Sequence, residues 1–208
     1  LERKPLSKKT ILEHHRLLHA MLTKAVYWQM IVNNPAERVQ PPKPPKPKRD
    51  CYDEVQTRIL IDNLEKLTGN DIKYKVAVLL DIFIGARLEE LAGLEWSDID
   101  LKNGIISINK SSQYLSDKGI FTKSPKTESS IRKVAIPDFI VSLLEEYKLW
   151  YEEQKSIVGD FWHDSDRLFV QVDGKPITPL TISKWFEKFI KQIGLPVITF
   201  HGLRHTNA

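Results

Sequence analysis

The sequence predicts an α+β fold: a mostly helical domain with a three-stranded antiparallel sheet, preceded by part of a second, helical domain. Three observations lead there. The hydrophobic period is helical over residues 53–94, becomes strand-like over residues 105–136, and is helical again from residue 138. Helices, then strands, then helices is the order of an α+β domain, whereas a doubly wound fold alternates them. Finally, six prolines between residues 35 and 47 cannot sit in a packed helix and mark a boundary.

Each element follows in turn. Residues 7–32 read as one helix with apolar residues at Ile11, Leu18, Leu22, Ala25, Val26 and Met30, capped by Ser7 and stopped at Asn33-Asn34-Pro35. One amphipathic helix cannot bury its own stripe, so residues 1–40 are expected to be the tail of a helical domain. Residues 41–50 form an extended Pro/Lys linker. This is either a proline-rich ligand for a small adaptor domain or a segment that tracks phosphates. In residues 51–208, Asp53 and Gln56 form a capping box that opens a helix to about Leu67. Asn70 caps a second helix, with Val76, Leu79, Leu80 and Phe83 on its buried side and Gly85 interrupting it. Residues 88–94 give a short third helix. Residues 105–108, 119–122 and 131–136 read as the three strands, with Asn103-Gly104 as a turn. A helix follows from Asp138 to about Lys155, and another from Thr178-Pro179 to Gly194.

Composition narrows the function. With 41% hydrophobic and 28% charged residues, the 208-residue chain can bury a core. Its apolar runs, residues 76–80 and 82–84, are broken by Asp81 and too short to span a bilayer, so no membrane association is expected. No stretch reads as a secretory signal, and the single cysteine, Cys51, fits a reducing, cytoplasmic setting. The net charge of +4 is unevenly spread. Residues 1–50 hold 11 Lys/Arg against 4 Asp/Glu, residues 51–208 hold 20 against 23, and within the latter residues 102–133 hold 7 against 2. Two basic regions beside acidic helices suggest a polyanion contacted in two places, although lysine-rich stretches are more often plain solvated surface.

Three segments bring basic groups to structured positions. In Gly85-Ala86-Arg87-Leu88-Glu89-Glu90-Leu91, Arg87 opens a helix after a glycine break, and Glu90 lies one turn on. Alone this is an ordinary surface ion pair, yet the free amides of a helix start also favour an anion that an arginine could hold. Residues 123–132 join the second and third strands, where a lysine can swing into a cleft and give a proton to a leaving oxygen. In His201-Gly202-Leu203-Arg204-His205-Thr206, His201 and Arg204 share a helical face and Leu203 turns to the core. The His201/His205 and His15/His19 pairs have the spacing of zinc ligands but lack an adjacent glutamate or a third ligand, so no metal is expected.

Together and in this order, these segments resemble the tyrosine recombinase, or phage integrase, family. The resemblance rests on Gly-x-Arg-x-x-Glu at Gly85–Glu90, Lys-Thr-x-Ser-Ser from Lys126, Arg-x-Val-x-Ile-Pro from Arg132, and His-x-Leu-Arg-His-Thr from His201. Leu6-Ser7-Lys8-Lys9-Thr10 and Asn34-Pro35-Ala36 look like the end of the family's core-binding domain, and Trp96-Ser97-Asp98-Ile99-Asp100 like its link into the sheet. The resemblance implies a site-specific recombinase that cuts and rejoins DNA through a 3′-phosphotyrosyl intermediate, for a phage or conjugative element. Arg87 and Arg204 would clamp the scissile phosphate, Lys126 would protonate the departing 5′ oxygen, His201 would position the phosphate, and Glu90 would support the site. Two guanidiniums facing the charge that builds on the phosphate oxygens suit this chemistry, and no cofactor is implied. Double-stranded DNA is the expected partner, contacted also by Lys8, Lys9, Lys43, Lys46, Lys48, Arg49 and Lys123. The full protein would act as a homotetramer and this chain alone as a monomer.

The chain departs from the pattern in two ways. Ile84 and Ala86 flank the glycine where the family often has threonine and a larger apolar residue. Family members also continue past the His-x-x-Arg box to a tyrosine nucleophile, whereas Tyr27, Tyr52, Tyr74, Tyr114, Tyr147 and Tyr151 all precede it. The expectation is a fragment that binds DNA weakly and does not cut it. The rival readings are a DNA-binding accessory protein without catalysis, a type IB topoisomerase, and a helical protein whose matches are chance.

Overall fold

The helix–sheet–helix order is present in a computed structural model that describes residues 5–45, 51–123 and 131–206. These residues form two compact units, the first within Leu1–Lys48 and the second within Arg49–Ala208. The first unit is built on α1 (Lys8–Tyr27), whose start is capped by the Ser7 hydroxyl accepting from the Thr10 amide at 3.1 Å. It ends five residues before the expected Val32. Gln29 takes a left-handed conformation (φ 58°), and the Met30 and Gln29 amides fold back onto the Ala25 and Val26 carbonyls. A short 3₁₀ turn, Pro35–Arg38, packs against α1, and Asn34 fastens it by donating to the His19 carbonyl and the Thr23 hydroxyl. His15 meets the Ala36 carbonyl at 3.2 Å, so it serves this junction.

The second unit is centred on α3 (Ile72–Ile84). Apolar periodicity predicted one buried side, but Val76, Ala77, Val78 and Leu80 are all fully enclosed. The reason is position: α4 (Leu88–Leu91), α5 (Asp138–Val158), α6 (Pro179–Gln192) and α7 (Phe200–Thr206) all pack on α3. Before it, α2 (Glu54–Leu64) starts at the expected Asp53/Gln56 capping box. Asn70 does not cap α3. It lies in a 3₁₀ turn, Gly69–Asp71, that leads directly into the helix. Gly85 ends α3 in a left-handed conformation (φ 54°) that a residue with a side chain would adopt only with strain.

The three-stranded antiparallel sheet is present with a different membership. It consists of β1 (Ile99–Asp100), β2 (Ile105–Ile108) and β5 (Arg132–Ala135) in the order β1-β2-β5, and Gly104 (φ 62°) lies in the turn between the first two. The expected strand at residues 119–122 lies in a separate hairpin, where β4 (Gly119–Lys123) pairs with β3 (Ser111–Leu115). The hairpin therefore ends at Lys123, and the three-stranded sheet is rejoined at Arg132. The pattern missed β3 because Ser111, Ser112 and Gln113 carry little apolar signal, while Ser112 is fully buried. No helix among the described residues is long and apolar enough to cross a membrane.

Close packing sets the distance between α4 and this hairpin. A Cβ placed on Gly93 would lie 2.9 Å from the Ser112 amide nitrogen and 3.1 Å from the Glu89 carbonyl oxygen, both rigid backbone. Gly93→Ala should therefore push β3 away and lower stability by about 1–3 kcal/mol, the usual cost of overpacking. Urea unfolding measures this, and an unchanged midpoint would refute it.

Candidate active site

The site is built where α3 stops. The turn at Gly85 leaves Arg87 extended (φ −75°, ψ 148°) just before the single-turn helix α4. Glu90, one turn on, accepts from the Arg87 amide at 2.9 Å and from its Nη1 at 2.7 Å. Its other partner comes from β5, where Arg132 Nη2 donates at 2.9 Å. Side-chain exposure rises outward from the carboxylate, from 10% at Glu90 to 30% at Arg132 and 56% at Arg87. Two guanidiniums are thus anchored at one buried carboxylate and reach towards solvent. Burial pushes the Glu90 carboxyl up, but the hydrogen bonds from Arg132 and from the Arg87 amide and guanidinium outweigh it and hold the group below its ordinary range.

This arrangement corrects one expectation. The first amide of the α4 region is not free for an anion, because Glu90 takes it, and a helix of four residues has little dipole to offer.

The second part of the site is α7. The Gly202 amide donates to the Thr199 hydroxyl at 3.2 Å, closing its first turn. Phe200 is buried edge-on against Phe186, with ring centroids 5.4 Å apart, and Leu203 is fully buried. These two anchors leave His201 exposed and Arg204 half-buried. Arg204 acts on Asp81, a fully enclosed carboxyl of α3 on which Glu90 also acts. Burial pushes Asp81 up to about 8, with Arg204 opposing the rise and Glu90 adding to it.

A second ionic network fixes the hairpin. Buried Arg167 donates to the Gly93 carbonyl at 2.8 Å and to the Thr122 hydroxyl, and its Nε lies 3.7 Å from Glu95. Lys110 pairs with Glu95 and, at 3.0 Å, with Asp98. Together they tie the end of α4 to β4, whose last residue, Lys123, is exposed.

Of the residues expected from sequence, Arg87 and Glu90 are in direct contact, and Arg204 lies on α7, which packs on the same α3 as α4 does. Lys126 lies outside the described residues, as do Lys46, Lys48 and Arg49. Lys8, Lys9 and Lys43 are exposed in the first unit. Sequence reasoning missed three members. Asp81 had a signal, since it is the one charge inside an apolar run; Arg132 stood in a quoted motif but was read only as strand; Arg167 lies in a polar loop with no signal. Among the described residues, no group of three or more His, Cys, Asp or Glu could hold a metal ion.

Comparison with known proteins places this geometry in context. Residues 52–208 match the family model described as the phage integrase family. Over 97% of its length the chain is 28% identical to a XerC-like tyrosine recombinase of Caldanaerobacter subterraneus and 26% identical to the ICEBs1 integrase of Bacillus subtilis. It covers 55% and 54% of those relatives, so it spans about half of each. The Tn1549 transposon integrase, solved with transposon right end DNA, superposes with a TM-score of 0.81 at 22% identity, covering 98% of this chain and 66% of that one. That likeness concerns the fold.

The Glu90 bridge has a measurable worth. Glu90→Gln removes the charge shared by two guanidiniums and should destabilise the chain by about 1–3 kcal/mol near neutral pH. Because folding depresses the Glu90 pKa, the wild-type advantage should be complete above the ordinary value of 4.5 and be lost below it, as pH falls through the lower value of the folded chain. Equal stability of the two proteins at pH 7 would contradict this.

Proposed function

Because the chain belongs to the phage integrase family of tyrosine recombinases, we propose that it forms the phosphate-holding part of a site-specific DNA recombinase. One observation carries the reading. Two guanidiniums, Arg87 and Arg132, share the Glu90 carboxylate beside the end of α3, Arg204 stands on α7, which packs on the same helix, and Glu90 can neutralise only part of their charge. An arrangement with excess cationic forks suits a doubly coordinated phosphate oxygen pair.

In this reading Arg87 and Arg204 grip the non-bridging oxygens of the scissile phosphate, and Glu90 fixes the direction of Arg87. His201, exposed one turn before Arg204, positions the phosphate. A tyrosine oxygen attacks phosphorus, a new phosphotyrosyl ester forms at the 3′ end, and the 5′ oxygen leaves with a proton from Lys126. Reversal of these steps on a second 5′ hydroxyl rejoins the strand. The ester conserves the bond energy, so no nucleotide cofactor is needed. Residues 1–40 serve as part of a core-binding domain and residues 41–50 as a basic linker along the duplex. The longer protein works as a homotetramer on two duplexes, with the names of the ICEBs1 and Tn1549 relatives favouring a mobile element as its cargo.

Three tyrosines within the chain, Tyr52, Tyr147 and Tyr151, are poor nucleophiles for this site. Burial pushes Tyr52 and Tyr151 up to about 12 and Tyr147 well up, and their hydroxyls donate to the carbonyls of Pro196, Ser165 and Leu168. Tyr74 is stacked on Trp185 at 4.5 Å, and Tyr114 is exposed on the β3–β4 hairpin. In this reading the 208 residues bind duplex DNA without forming a covalent adduct.

Two measurements test the proposal. Affinity for a duplex should fall linearly with salt on logarithmic axes, and Arg87→Ala and Arg204→Ala should each reduce that slope by about 1. Substitutions with no effect on the slope would remove the phosphate assignment. A suicide substrate that traps a covalent adduct on this chain would overturn the statement that it lacks a competent nucleophile.

A further inference from the structure

We propose that Arg167 is a positioning residue for DNA binding: its buried guanidinium pins Thr122 of β4 to the end of α4, and so holds the adjacent Lys123 ammonium in a fixed relation to Arg87. This rests on the function proposed above and on the sequence-based expectation that Lys123 meets the DNA backbone.

Arg167 is 6% exposed, and a guanidinium is tolerated at such depth only where its donors find acceptors. Its backbone is fixed first. Arg167 and Glu95 form an antiparallel bridge, flanked by the Leu168 amide donating to the Leu94 carbonyl at 2.9 Å and the Trp96 amide donating to the Asp166 carbonyl at 2.8 Å. From that base the head group reaches three partners. Nη1 donates to the Gly93 carbonyl at 2.8 Å, Nη2 donates to the Thr122 hydroxyl, and Nε lies 3.7 Å from a Glu95 carboxylate oxygen. A planar fork can serve partners in three directions at once, whereas a lysine ammonium is a single point of charge on a flexible stem.

These partners meet on one line across the hairpin. Thr122 stands opposite Ser112 in the β3–β4 register, and the Ser112 amide is the group that closes on Gly93. The other foot of the hairpin is tied as well, since Lys110, one residue before β3, pairs with Glu95 and Asp98. Arg167 and Lys110 are matched by Glu95 and Asp98, so this network brings no surplus charge to DNA, and its effect is geometric. Side chains alternate along a strand. With Thr122 turned towards Arg167, Lys123 falls on the opposite face, where it is exposed.

A two-stranded hairpin has little stability of its own, so a lysine at its open end would otherwise be poorly placed. Pinning Thr122 lowers the ordering that Lys123 must undergo when it meets a phosphate. The same fork ends on the carbonyl that follows α4, and Arg87 immediately precedes that helix. The two cations therefore share one rigid support.

The test uses the full 208-residue chain and a fluorescein-labelled duplex of mixed sequence, with anisotropy read over a salt series. Lys123→Ala should lower the slope of log affinity against log salt by about 1, the loss of one phosphate contact. Thr122→Val keeps the β-branched shape and removes the hydroxyl. It should weaken binding by about two- to tenfold, the ordering of one long side chain, and Thr122→Ser, which restores the hydroxyl, should recover the affinity. In the Lys123→Ala background Thr122→Val should have no further effect. Equal losses in both backgrounds, the mark of a merely structural role, would overturn the inference, as would a Thr122→Val chain that binds as wild type does. Arg167→Lys gives a second route: it keeps the charge, loses the fork, and should show the same dependence on Lys123, so an effect independent of Lys123 is contrary evidence. If Lys123→Ala leaves the slope unchanged, the phosphate reading of Lys123 is what fails, and the inference falls with it.

Discussion

Glu90 holds two arginines from distant parts of the chain, and the geometry of the site depends on that one carboxylate. Arg87 comes from the break between two helices and Arg132 from an edge of the three-stranded sheet, 42 positions after Glu90. Without a shared anion, their guanidiniums would repel one another in a half-buried setting. With it, both are preoriented, and the entropy of ordering two long side chains is spent in folding rather than on binding. The Glu90 carboxylate stays ionised because these hydrogen bonds outweigh its burial.

What supports Glu90 is a core organised to fix α4. Helix α3 is enclosed by its neighbours, and its end at Gly85 sets where Arg87 emerges. Gly93 lets the far end of α4 approach the β3 backbone, and buried Arg167 ties the Gly93 carbonyl to Thr122 of β4. The hairpin that precedes the predicted proton donor is thus tied to the same short helix that carries Arg87. Helix α7 is set by Phe200 and Leu203, two apolar anchors that immediately precede His201 and Arg204. Polar groups do the chemistry, and apolar packing decides where they stand.

Much of this was legible in the sequence, and the misses have identifiable causes. The α+β class, the capping box at Asp53, the Gly85 break and the capping of α6 by Thr178 all depend on local chemistry that a sequence displays. The pairing of strands does not. Residues 119–122 read correctly as a strand, but which sheet they join is set by the buried, serine-rich β3, which lacks an apolar alternation. The end of α1 was misjudged because Gln29, a residue not suited to φ 58°, terminates the helix where no glycine announces it. At the site, the Arg87–Glu90 pair was visible from spacing alone, whereas Arg132 reaches Glu90 only through tertiary packing. Asp81 was noticed as an interruption of an apolar run, but an interruption says nothing of what faces it.

The central claim is that Arg87 and Arg204 serve one phosphate, with Glu90 still bridging Arg87 to Arg132 when DNA is bound. A crystal structure of this chain on a DNA duplex examines it most directly. The account predicts both guanidiniums within hydrogen-bond distance of the non-bridging oxygens of a single phosphate, with the Glu90 bridge intact. Guanidiniums on different phosphates, or a duplex seated away from the end of α3, would contradict it.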